Sequence, residues 1–277
     1  MPRPLVMGIV NVTPDSFSDA GRHLDPDAAV EHGRRLIADG AAIVDVGGES
    51  TRPGAEPVSV AQELERVVPV VERLAAGRDT GPAGIRVSID TTKADVAAAA
   101  LQVGARIVND VSAFRFDPEI AGLVAGAGAD CVLMHMRGEP RTMQDEPRYD
   151  DVVSEVKAFL EERLSFAVAE GVFEEHIWLD PGIGFGKATD HNLELLARLD
   201  ELVAIGRPLV IGTSRKSMLG TLTGRDVDRR LPGTIATNVL ALARGARVFR
   251  VHDVAEVVDA LTVARAVLEG RADVDPP

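Results

Sequence analysis

The sequence predicts an α/β protein built as a single (β/α)8 TIM barrel, and three observations lead to this fold class. Short runs rich in Val and Ile alternate eight times with longer stretches of helical periodicity. The runs are almost continuously apolar, as in a parallel sheet that helices cover. Their spacing is even over 277 residues, with no change in composition that would indicate a second domain. We expect one barrel over residues 1–270 and a short, disordered tail over residues 271–277.

The elements can be placed along the chain from local patterns. Strands are predicted at residues 5–10, 43–46, 87–89, 106–108, 131–134, 177–179, 209–211 and 248–251. Helix starts are predicted from four capping patterns: Asp25-Pro26, Asp117-Pro118, Ser59 with Gln62, and, more weakly, Thr92 with Asp95. Helix ends are predicted at Gly40, Gly104, Gly171, Gly206 and Gly245. Apolar stripes at helical spacing mark a helix over residues 152–168 and a last helix over residues 254–268.

Composition excludes several classes of protein. A formal net charge of −13 argues against nucleic acid as a partner. No apolar run approaches the roughly 20 residues that a membrane-spanning helix needs, so no membrane partner is expected. The single cysteine, Cys131, excludes a disulfide framework and is interpreted as a small buried hydrophobic residue. With no signal peptide before the first strand, a cytoplasmic location is predicted.

The positive charge is concentrated in one part of this acidic chain. Residues 207–250 contain nine Lys and Arg residues against two acids, Asp226 and Asp228. A basic segment in an acidic protein indicates a local site for an anion. A solvated helix face remains the simpler interpretation for Arg225, Arg229 and Arg230.

Polar residues follow nearly every predicted strand. In a (β/α)8 barrel the functional site lies at the carboxyl ends of the strands, so these residues should converge on one rim. They are Asn11 and the loop with Asp15 and Phe17, the loop with Thr51 and Arg52, then Asp90, Asn109, His135, Asp180, Lys216, Arg250 and His252. Any one of them could cap a helix, but their convergence favours a functional site.

Two chemical groups can be distinguished on this rim. Asp90, Asn109, Asp180 and Lys216 could bind the edge of a flat heterocycle, because carboxylates accept paired N–H groups and Lys donates. Arg52, Arg250 and His252 are cationic and suit a diphosphate or triphosphate. Asn11 and the oxygen-rich loop after it offer ligands of the kind that Mg²⁺ prefers. The combination predicts a heterocycle that carries a diphosphate, with Mg²⁺ as cofactor.

The segment 178–187 is the most distinctive in the chain, because an apolar run ends at Asp180 and is followed by Pro181 and alternating glycines. A phosphate-binding P-loop is rejected, since Pro181 and Ala188 stand where that motif needs Gly and Ser or Thr. The glycine spacing is also a poor match to a dinucleotide fingerprint. We interpret the segment as a strand-end loop with Asp180 as a recognition group and Lys187 as a charge on the rim.

The chain resembles the dihydropteroate synthases of the pterin-binding family in motifs that occur in order along its whole length. The motifs lie at residues 7–19, 45–54, 88–91, 109–112, 134–136, 180–187, 214–217 and 250–252. The resemblance implies a transferase of folate biosynthesis. Such an enzyme joins 4-aminobenzoate to (7,8-dihydropterin-6-yl)methyl diphosphate, releases diphosphate and is a target of sulfonamides. It also implies a homodimer formed through the last helices.

The resemblance further implies roles for individual residues. Asp90, Asn109, Asp180 and Lys216 would hold the pterin, and Asn11 would bind Mg²⁺. Asn11, Thr51, Arg52, Arg250 and His252 would contact the diphosphate, whereas Pro53, Phe185, Ser217 and Phe17 would line the 4-aminobenzoate pocket. The catalytic set would be Asp90, Lys216, Arg250, His252 and Asp15, with the loop that carries Asp15 closing over the site.

One feature departs from the family pattern, and two other functions stay open. Ala113 and Phe114 stand where many members have a glycine pair, so the path of that loop is expected to change. Methyltetrahydrofolate-dependent methyltransferases share the pterin-recognising barrel, but they have no use for the segments 50–54 and 214–217. A pterin-binding paralogue without catalysis would be expected to lack an anion-binding or metal-binding residue.

Overall fold

The computed structural model describes residues 3–13, 25–50, 56–76, 85–139 and 142–272. Its strands are β1 (Leu5–Asn11), β2 (Ile43–Gly47), β3 (Arg86–Asp90), β4 (Ile107–Asp110), β5 (Asp130–Met134), β6 (Ile177–Asp180), β7 (Val210–Ile211) and β8 (Val248–Val251). The eight strands pair in parallel in the order β6-β5-β4-β3-β2-β1-β8-β7. A parallel bridge between Leu179 and Leu209 joins β6 to β7 and closes the ring. The predicted (β/α)8 barrel is therefore confirmed.

Several strands continue past their predicted carboxyl ends into polar residues. Asn11, Asp90 and Asp180 are each the last residue of a strand, whereas the apolar pattern ends one residue earlier. Strand β4 extends two residues further than predicted, to Asp110. Asn11, Asp90 and Asp180 can continue the ladder here because their side chains lie on the inward face at the barrel mouth while the backbone stays paired, whereas Asp110 lies on the other face of β4. The polar groups of the rim thus stand on strands, which hold them more rigidly than loops do.

Helices surround the barrel. They are α1 (Pro26–Ala38), α2 (Val60–Ala76), α3 (Ala94–Gln102), α4 (Glu119–Ala127), α5 (Val152–Ala169), α6 (Thr189–Ala197), α7 (Leu199–Val203), α8 (Ser217–Thr223), α9 (Leu231–Ala243) and α10 (Val254–Glu269). Sequence periodicity predicted one helix after each strand, but two follow β6 and two follow β7. The second break is at Gly224, which adopts a φ of 67° and ends α8.

Two of the predicted helix starts are confirmed by their hydrogen bonds. The Asp25 carboxylate accepts the backbone N–H groups of Asp27 at 2.9 Å and Ala28 at 3.1 Å. Ser59 and Gln62 form the predicted capping box, with the Gln62 N–H donating to the Ser59 hydroxyl at 3.3 Å and the Ser59 N–H donating back at 3.2 Å. The five glycines that were predicted to end helices all have φ between 88° and 117°.

The start of α3 differs from the prediction. Thr92 does not cap this helix, which begins at Ala94 with Lys93 as the preceding residue. The backbone N–H of Ala94 instead donates to the Asp117 carboxylate at 2.8 Å. Asp117 therefore caps the neighbouring helix, and its contact with the start of its own helix, the N–H of Glu119, is longer at 3.4 Å.

The barrel interior is layered along the strands. Seven buried apolar side chains form its floor: Met7, Ile43, Ile107, Val132, Trp178, Val210 and Val248. Side chains of a strand alternate between its two faces, so the residue two positions further along also points inward. On β2, β4, β6 and β8 that position holds Asp45, Asn109, Asp180 and Arg250. A polar layer thus lies directly above the apolar floor.

The remaining core lies between the barrel and its helices. Cys131 is part of it and is fully buried, as predicted. Within the described residues, no helix has the length and apolar character needed to cross a bilayer. Gly270 ends the last helix, and most of the predicted tail lies beyond the described residues, so its disorder stays a prediction.

Candidate active site

The register of the first four strands aligns the residues at their carboxyl ends. Asn11 of β1 lies opposite Gly47 of β2, Gly47 lies opposite Asp90 of β3, and Asp90 lies opposite Asn109 of β4. An amide, a carboxylate and a second amide therefore share one level of the barrel mouth. Gly47 leaves room between them, since a Cβ there would lie 3.4 Å from the Cβ of Asp90.

Arg250 of β8 reaches across β1 and joins two other strands of this rim. Its Nε donates to Oδ2 of Asp45 at 2.7 Å, and its Nη2 donates to Oδ2 of Asp90 at 2.7 Å. The two carboxylates raise the pKa of Arg250 despite its burial, so the guanidinium is charged. Burial raises the pKa of Asp90 to about 7; Arg250 opposes this shift and Asp45 adds to it. The group combines one cation with two carboxylates in a place with little water.

Asp45 is a site residue that the sequence analysis missed. It is fully buried, and its Oδ2 also accepts a hydrogen bond from Nδ2 of Asn109 at 3.1 Å. Its Oδ1 is buried and has no hydrogen-bond partner among the described residues. The signal was present in the sequence, because a carboxylate interrupts the apolar run Ile43–Gly47 at an inward position. A buried acceptor without a partner can receive a ligand N–H group or a water molecule.

Asp180 ends β6 and orients the loop that follows. Its side chain is 6% exposed, and Oδ1 accepts the backbone N–H of Gly182 at 2.7 Å. Burial raises the pKa of this carboxyl group, while the Gly182 N–H and the nearby Lys216 ammonium act in the opposite direction. Lys216 lies over the Phe185 ring, with its Nζ 3.9 Å from the ring centroid. Asp180, Phe185 and Lys216 therefore form one neighbourhood, as expected.

The prediction that Lys187 is a charge on the rim is wrong. The side chain is almost completely buried, and its ammonium is hydrogen-bonded to backbone carbonyls and to a ring nitrogen of His135. Burial lowers its pKa to about 7, with Asp180 opposing the shift. Local sequence suggests that a Lys at the end of a glycine-rich loop is exposed. It does not show that the acceptors of this Lys belong to backbone that folds over it.

The glycines of the β6 loop are required by neighbouring protein backbone. Gly182 and Gly186 adopt φ of 68° and 62°. A Cβ on Gly182 would lie 1.9 Å from the carbonyl oxygen of His135, and one on Gly186 would lie 2.5 Å from that of Arg137. The glycines thus allow a close approach to the loop after β5.

The turn after β4 keeps a left-handed path without glycine. Ala113 and Phe114 adopt φ of 54° and 62°, values that a glycine pair would adopt without strain. The Asp110 carboxylate accepts the N–H groups of Ser112 at 2.6 Å and Phe114 at 2.8 Å. Nε of Arg163 donates to the Ala113 carbonyl at 2.8 Å. Residues 113 and 114 therefore lie in the left-handed region without glycine, and Asn109 stands on β4.

His252 follows β8 and is tied to the end of β7. Its Nδ1 lies 3.0 Å from the Ser214 hydroxyl, which also accepts the backbone N–H of His252 at 3.2 Å. Arg215, one of the cations in the basic segment, is paired with Asp253 at 2.5 Å. Arg215 is thus engaged in an ion pair with Asp253, and it was not among the cations predicted to bind the diphosphate.

The structure brings most of the predicted site residues to one end of the barrel. Asn11, Asp90, Asn109, Asp180, Phe185, Lys216, Ser217, Arg250 and His252 stand at or just after strand ends. Ser217 is exposed as the first residue of α8. The predicted residues Asp15, Phe17, Thr51, Arg52 and Pro53 lie outside the described residues.

A Mg²⁺ ion fits the donors at this end if the substrate supplies most of its ligands. Within the described ranges, no three His, Cys, Asp or Glu side chains converge as a metal-binding group. Asn11 ends β1 and shares the level of the barrel mouth with Gly47 and Asp90. Mg²⁺ typically takes few protein ligands and completes its shell with phosphate oxygens and water. Asn11 is therefore a suitable single protein ligand.

Comparison with known proteins identifies a family for the chain. The family described as "Pterin binding enzyme" matches residues 7–252. A relative named dihydropteroate synthase from Mycobacterium leprae is 52% identical over 277 residues, which cover 98% of this chain and 95% of the relative.

Solved structures show the same similarity. A Xanthomonas albilineans dihydropteroate synthase with 4-aminobenzoic acid superposes with a TM-score of 0.89 at 50% identity, over 96% of this chain and 94% of the other. A structure of the enzyme from the same organism in complex with 7,8-dihydropteroate gives a TM-score of 0.86 at 47% identity, with the same coverage. The chain therefore belongs to the dihydropteroate synthases, within the family of pterin binding enzymes.

Proposed function

We propose that this chain condenses 4-aminobenzoate with (7,8-dihydropterin-6-yl)methyl diphosphate and releases diphosphate, as a transferase of folate biosynthesis. The observation that carries the proposal is the polar layer above the barrel floor, in a chain whose relatives over nearly its full length are dihydropteroate synthases. That layer combines buried acceptors for the N–H edge of a pterin with a cationic neighbourhood for a diphosphate.

The pterin would be held by its polar edge. Asp180 and Asn109 are 6% and 5% exposed and belong to the inward layer, so a flat ring would stand on the floor with its N–H groups towards these acceptors. Hydrogen bonds to ionised acceptors in such a place are stronger than in water. Asp90 and Lys216 would complete the set, with Lys216 donating to a carbonyl or ring nitrogen of the pterin.

The reaction needs a bond to break before a weak nucleophile attacks. The C–O bond of the methylene carbon breaks and its electron pair leaves with the diphosphate, while the pterin ring delocalises the positive charge on carbon. Arg250 and His252 would stabilise the departing anion, and a Mg²⁺ ion on Asn11 would supply further Lewis-acid stabilisation when bound. The arylamine nitrogen then forms the new C–N bond and loses a proton to solvent. Water has to be kept from the cationic carbon, so closure of the loops that carry Asp15, Phe17, Thr51, Arg52 and Pro53 is part of the proposal.

The second substrate would bind beside the β6 loop. Phe185 offers an aromatic wall next to Lys216, and Ser217 is exposed at the start of α8, so a benzoate ring and its carboxylate would find complementary groups. Sulfonamides resemble this substrate in shape, so we propose that they compete for the same pocket. A cytoplasmic location and the absence of a nucleic-acid partner remain predictions.

The proposal is tested by mixing the folded protein with both substrates and Mg²⁺ and detecting dihydropteroate by mass spectrometry. Product that depends on both substrates is expected; a folded sample that forms none would contradict the proposal and favour a non-catalytic pterin-binding protein.

Lys216→Ala should weaken binding of the pterin diphosphate in calorimetry by more than about 1.5 kcal/mol, as loss of a charged hydrogen bond does. Lys157→Ala, which changes a lysine on α5, is the matched control and should leave the affinity unchanged.

We also propose that the chain forms a homodimer through α9 and α10. These two helices expose Leu240, Val263, Val267 and Leu268 at 55%, 64%, 75% and 47%, and an apolar groove lies between them. Clustered exposed apolar side chains of this kind mark a protein interface.

Light scattering should give twice the mass of the chain for the wild type and for the control Val168→Glu on α5, and the mass of one chain for Val267→Glu. A monomeric wild type at micromolar concentration would refute the dimer.

A further inference from the structure

Lys187 is a buried lysine to which the proposed reaction assigns no role. Its Nζ lies 2.8 Å from Nδ1 of His135, 3.0 Å from the carbonyl oxygens of Gly182 and Phe185, and 3.3 Å from the carbonyl oxygen of His135. An ammonium group has three N–H donors, so four acceptors use all of them. Two acceptors come from the β6 loop and two from the residue after β5, and Lys187 thus joins the two segments.

Polar contacts of this kind hold the backbone of the β6 loop, beside the packing of the Ile183 and Phe185 side chains. Gly182 and Gly186 lie directly against the backbone of the β5 loop, where no side chain could fit. Other side chains hold the carbonyl groups that Lys187 does not reach. Nε2 of Gln144 donates to the Gly184 carbonyl at 2.8 Å, and the Tyr149 hydroxyl donates to the Gly186 carbonyl at 2.7 Å.

The atoms that Lys187 holds are adjacent to groups that would touch both substrates. The Gly182 carbonyl accepts a hydrogen bond from Lys187, and the Gly182 N–H donates one to the Asp180 carboxylate. The Phe185 carbonyl is held by Lys187, and the Phe185 ring contacts the Lys216 ammonium. A shift of the loop would therefore move the aromatic wall directly, whereas Asp180 is also anchored by its own strand.

We propose that Lys187 is a positioning residue that, by bonding to His135, holds the β6 loop so that Phe185 forms one wall of the 4-aminobenzoate pocket. The inference rests on the proposed function and adds to it a determinant of affinity for the second substrate. The side chain of Lys187 is bonded to backbone carbonyl groups and to the His135 ring, so its proposed role is to position the loop and not to take part in the chemistry.

The His135 ring has the chemical form that this role requires. For Nδ1 to accept a hydrogen bond from Lys187, the ring has to be neutral and carry its proton on Nε2. Burial and the Lys187 charge lower the pKa of His135 to about 2, which keeps the ring neutral. The edge contact of the ring with Phe159, at a centroid distance of 4.8 Å, holds it in place from another side.

Steady-state kinetics of Lys187→Met tests the proposal, because Met keeps much of the length and removes the charge. We expect the KM for 4-aminobenzoate to rise about tenfold or more, as the loss of a charged hydrogen-bond donor would produce. The KM for the pterin diphosphate should change by less than about threefold. Asp180 and Asn109, which would bind the pterin, are held by strands and should not move with the loop. The control Lys157→Met should behave as the wild type.

Variants of His135 provide a second test that does not depend on how well Lys187→Met folds. His135→Leu removes the acceptor and should reproduce the selective rise in the KM for 4-aminobenzoate, whereas His135→Gln keeps an acceptor and should restore most of the affinity. The double variant Lys187→Met/His135→Leu should be no worse than the more affected single variant, because the contact that His135→Leu breaks is one of those that Lys187→Met already breaks. Nitrogen NMR of the wild type should show His135 protonated at Nε2 only.

The outcomes separate the two proposals. A wild type that forms no dihydropteroate overturns the proposed function itself. A wild type that forms product, with folded Lys187→Met and His135→Leu that change both KM values equally or change neither, overturns the positioning role alone. If Lys187→Met does not fold, the His135→Leu and His135→Gln pair decides on the same criterion.

Discussion

The turn after β4 and the loop after β6 begin with the same device and then differ in their residues. Each strand ends on a buried aspartate whose carboxylate accepts the N–H group two residues ahead. Asp110 accepts from Ser112 at 2.6 Å, and Asp180 accepts from Gly182 at 2.7 Å. Both segments then enter the left-handed region of the backbone, the first with Ala and Phe and the second with glycines.

The difference shows two ways of stabilising the same backbone path. Glycine enters the left-handed region without strain and lets the β6 loop contact neighbouring backbone, but it contributes no apolar burial. Ala113 and Phe114 each carry a strain of roughly 1 kcal/mol, from the crowding of Cβ against the backbone. Burial of the Phe114 ring and the second oxygen of Asp110 offset that strain. A glycine pair is therefore dispensable where buried contacts can stabilise the turn.

The largest effect is expected where a side chain is added to the β6 loop. Gly182→Ala would put a Cβ 1.9 Å from a backbone oxygen at a φ of 68°, so the loop or the β5 segment has to move. We expect a loss of about 3–4 kcal/mol in the free energy of unfolding, measured by urea denaturation. The control is Gly126→Ala in α4, where a Cβ would meet no atom within 4 Å and where Ala should stabilise by about 0.5–1 kcal/mol. A Gly182→Ala variant as stable as the wild type would show that the close approach does not occur.

Removing the carboxylate of the β4 turn should have an intermediate and pH-dependent effect. Asp110→Ala leaves two buried N–H groups without an acceptor, which should cost about 3 kcal/mol at pH 5. Burial raises the pKa of Asp110 to about 6, above that of the unfolded chain, so its contribution to stability is lost as the pH rises through 6. The difference between wild type and variant should therefore shrink by about 1 kcal/mol between pH 5 and pH 7.5.

The same urea denaturation, repeated at the two pH values, measures this difference. Asp39→Ala, which removes an exposed carboxylate at the end of α1, should show neither the loss nor its pH dependence. A difference between wild type and Asp110→Ala that grows with pH would show that the Asp110 carboxylate is stabilised in the fold, with a pKa below that of the unfolded chain.

The smallest effect is expected from returning a glycine to the β4 turn. Ala113→Gly relieves strain at a φ of 54°, but it also removes a buried methyl group and makes the unfolded chain more flexible. The relieved strain is roughly 1 kcal/mol, whereas the two losses are about 0.8 kcal/mol and about 0.4–1 kcal/mol, so the free energy of unfolding should fall by less than about 1 kcal/mol in thermal and urea denaturation. A loss above about 1.5 kcal/mol would mean that the turn prefers Ala for a reason other than those named here.

Much of the candidate site could be predicted because barrels place function at strand ends. Asp90, Asn109 and Asp180 each follow an apolar run, and that position alone indicated the rim. Asp45 was missed because it lies inside such a run, two residues before the end of β2. Counting every second residue from Ile43 would have found it, since that periodicity defines the inward face.

The sequence by itself determined the fold class and the end of the barrel at which the polar groups gather. Both follow from patterns that repeat within a few residues: apolar runs, helical periodicity and the residue types that end strands. Only the tertiary structure decided which groups meet. Arg250 bonds to carboxylates that precede it by 205 and 160 residues, Asp117 caps a helix that begins 23 residues earlier, and Lys187 is buried against His135, 52 residues away. Such contacts form when distant segments close into one barrel, and no local pattern encodes them.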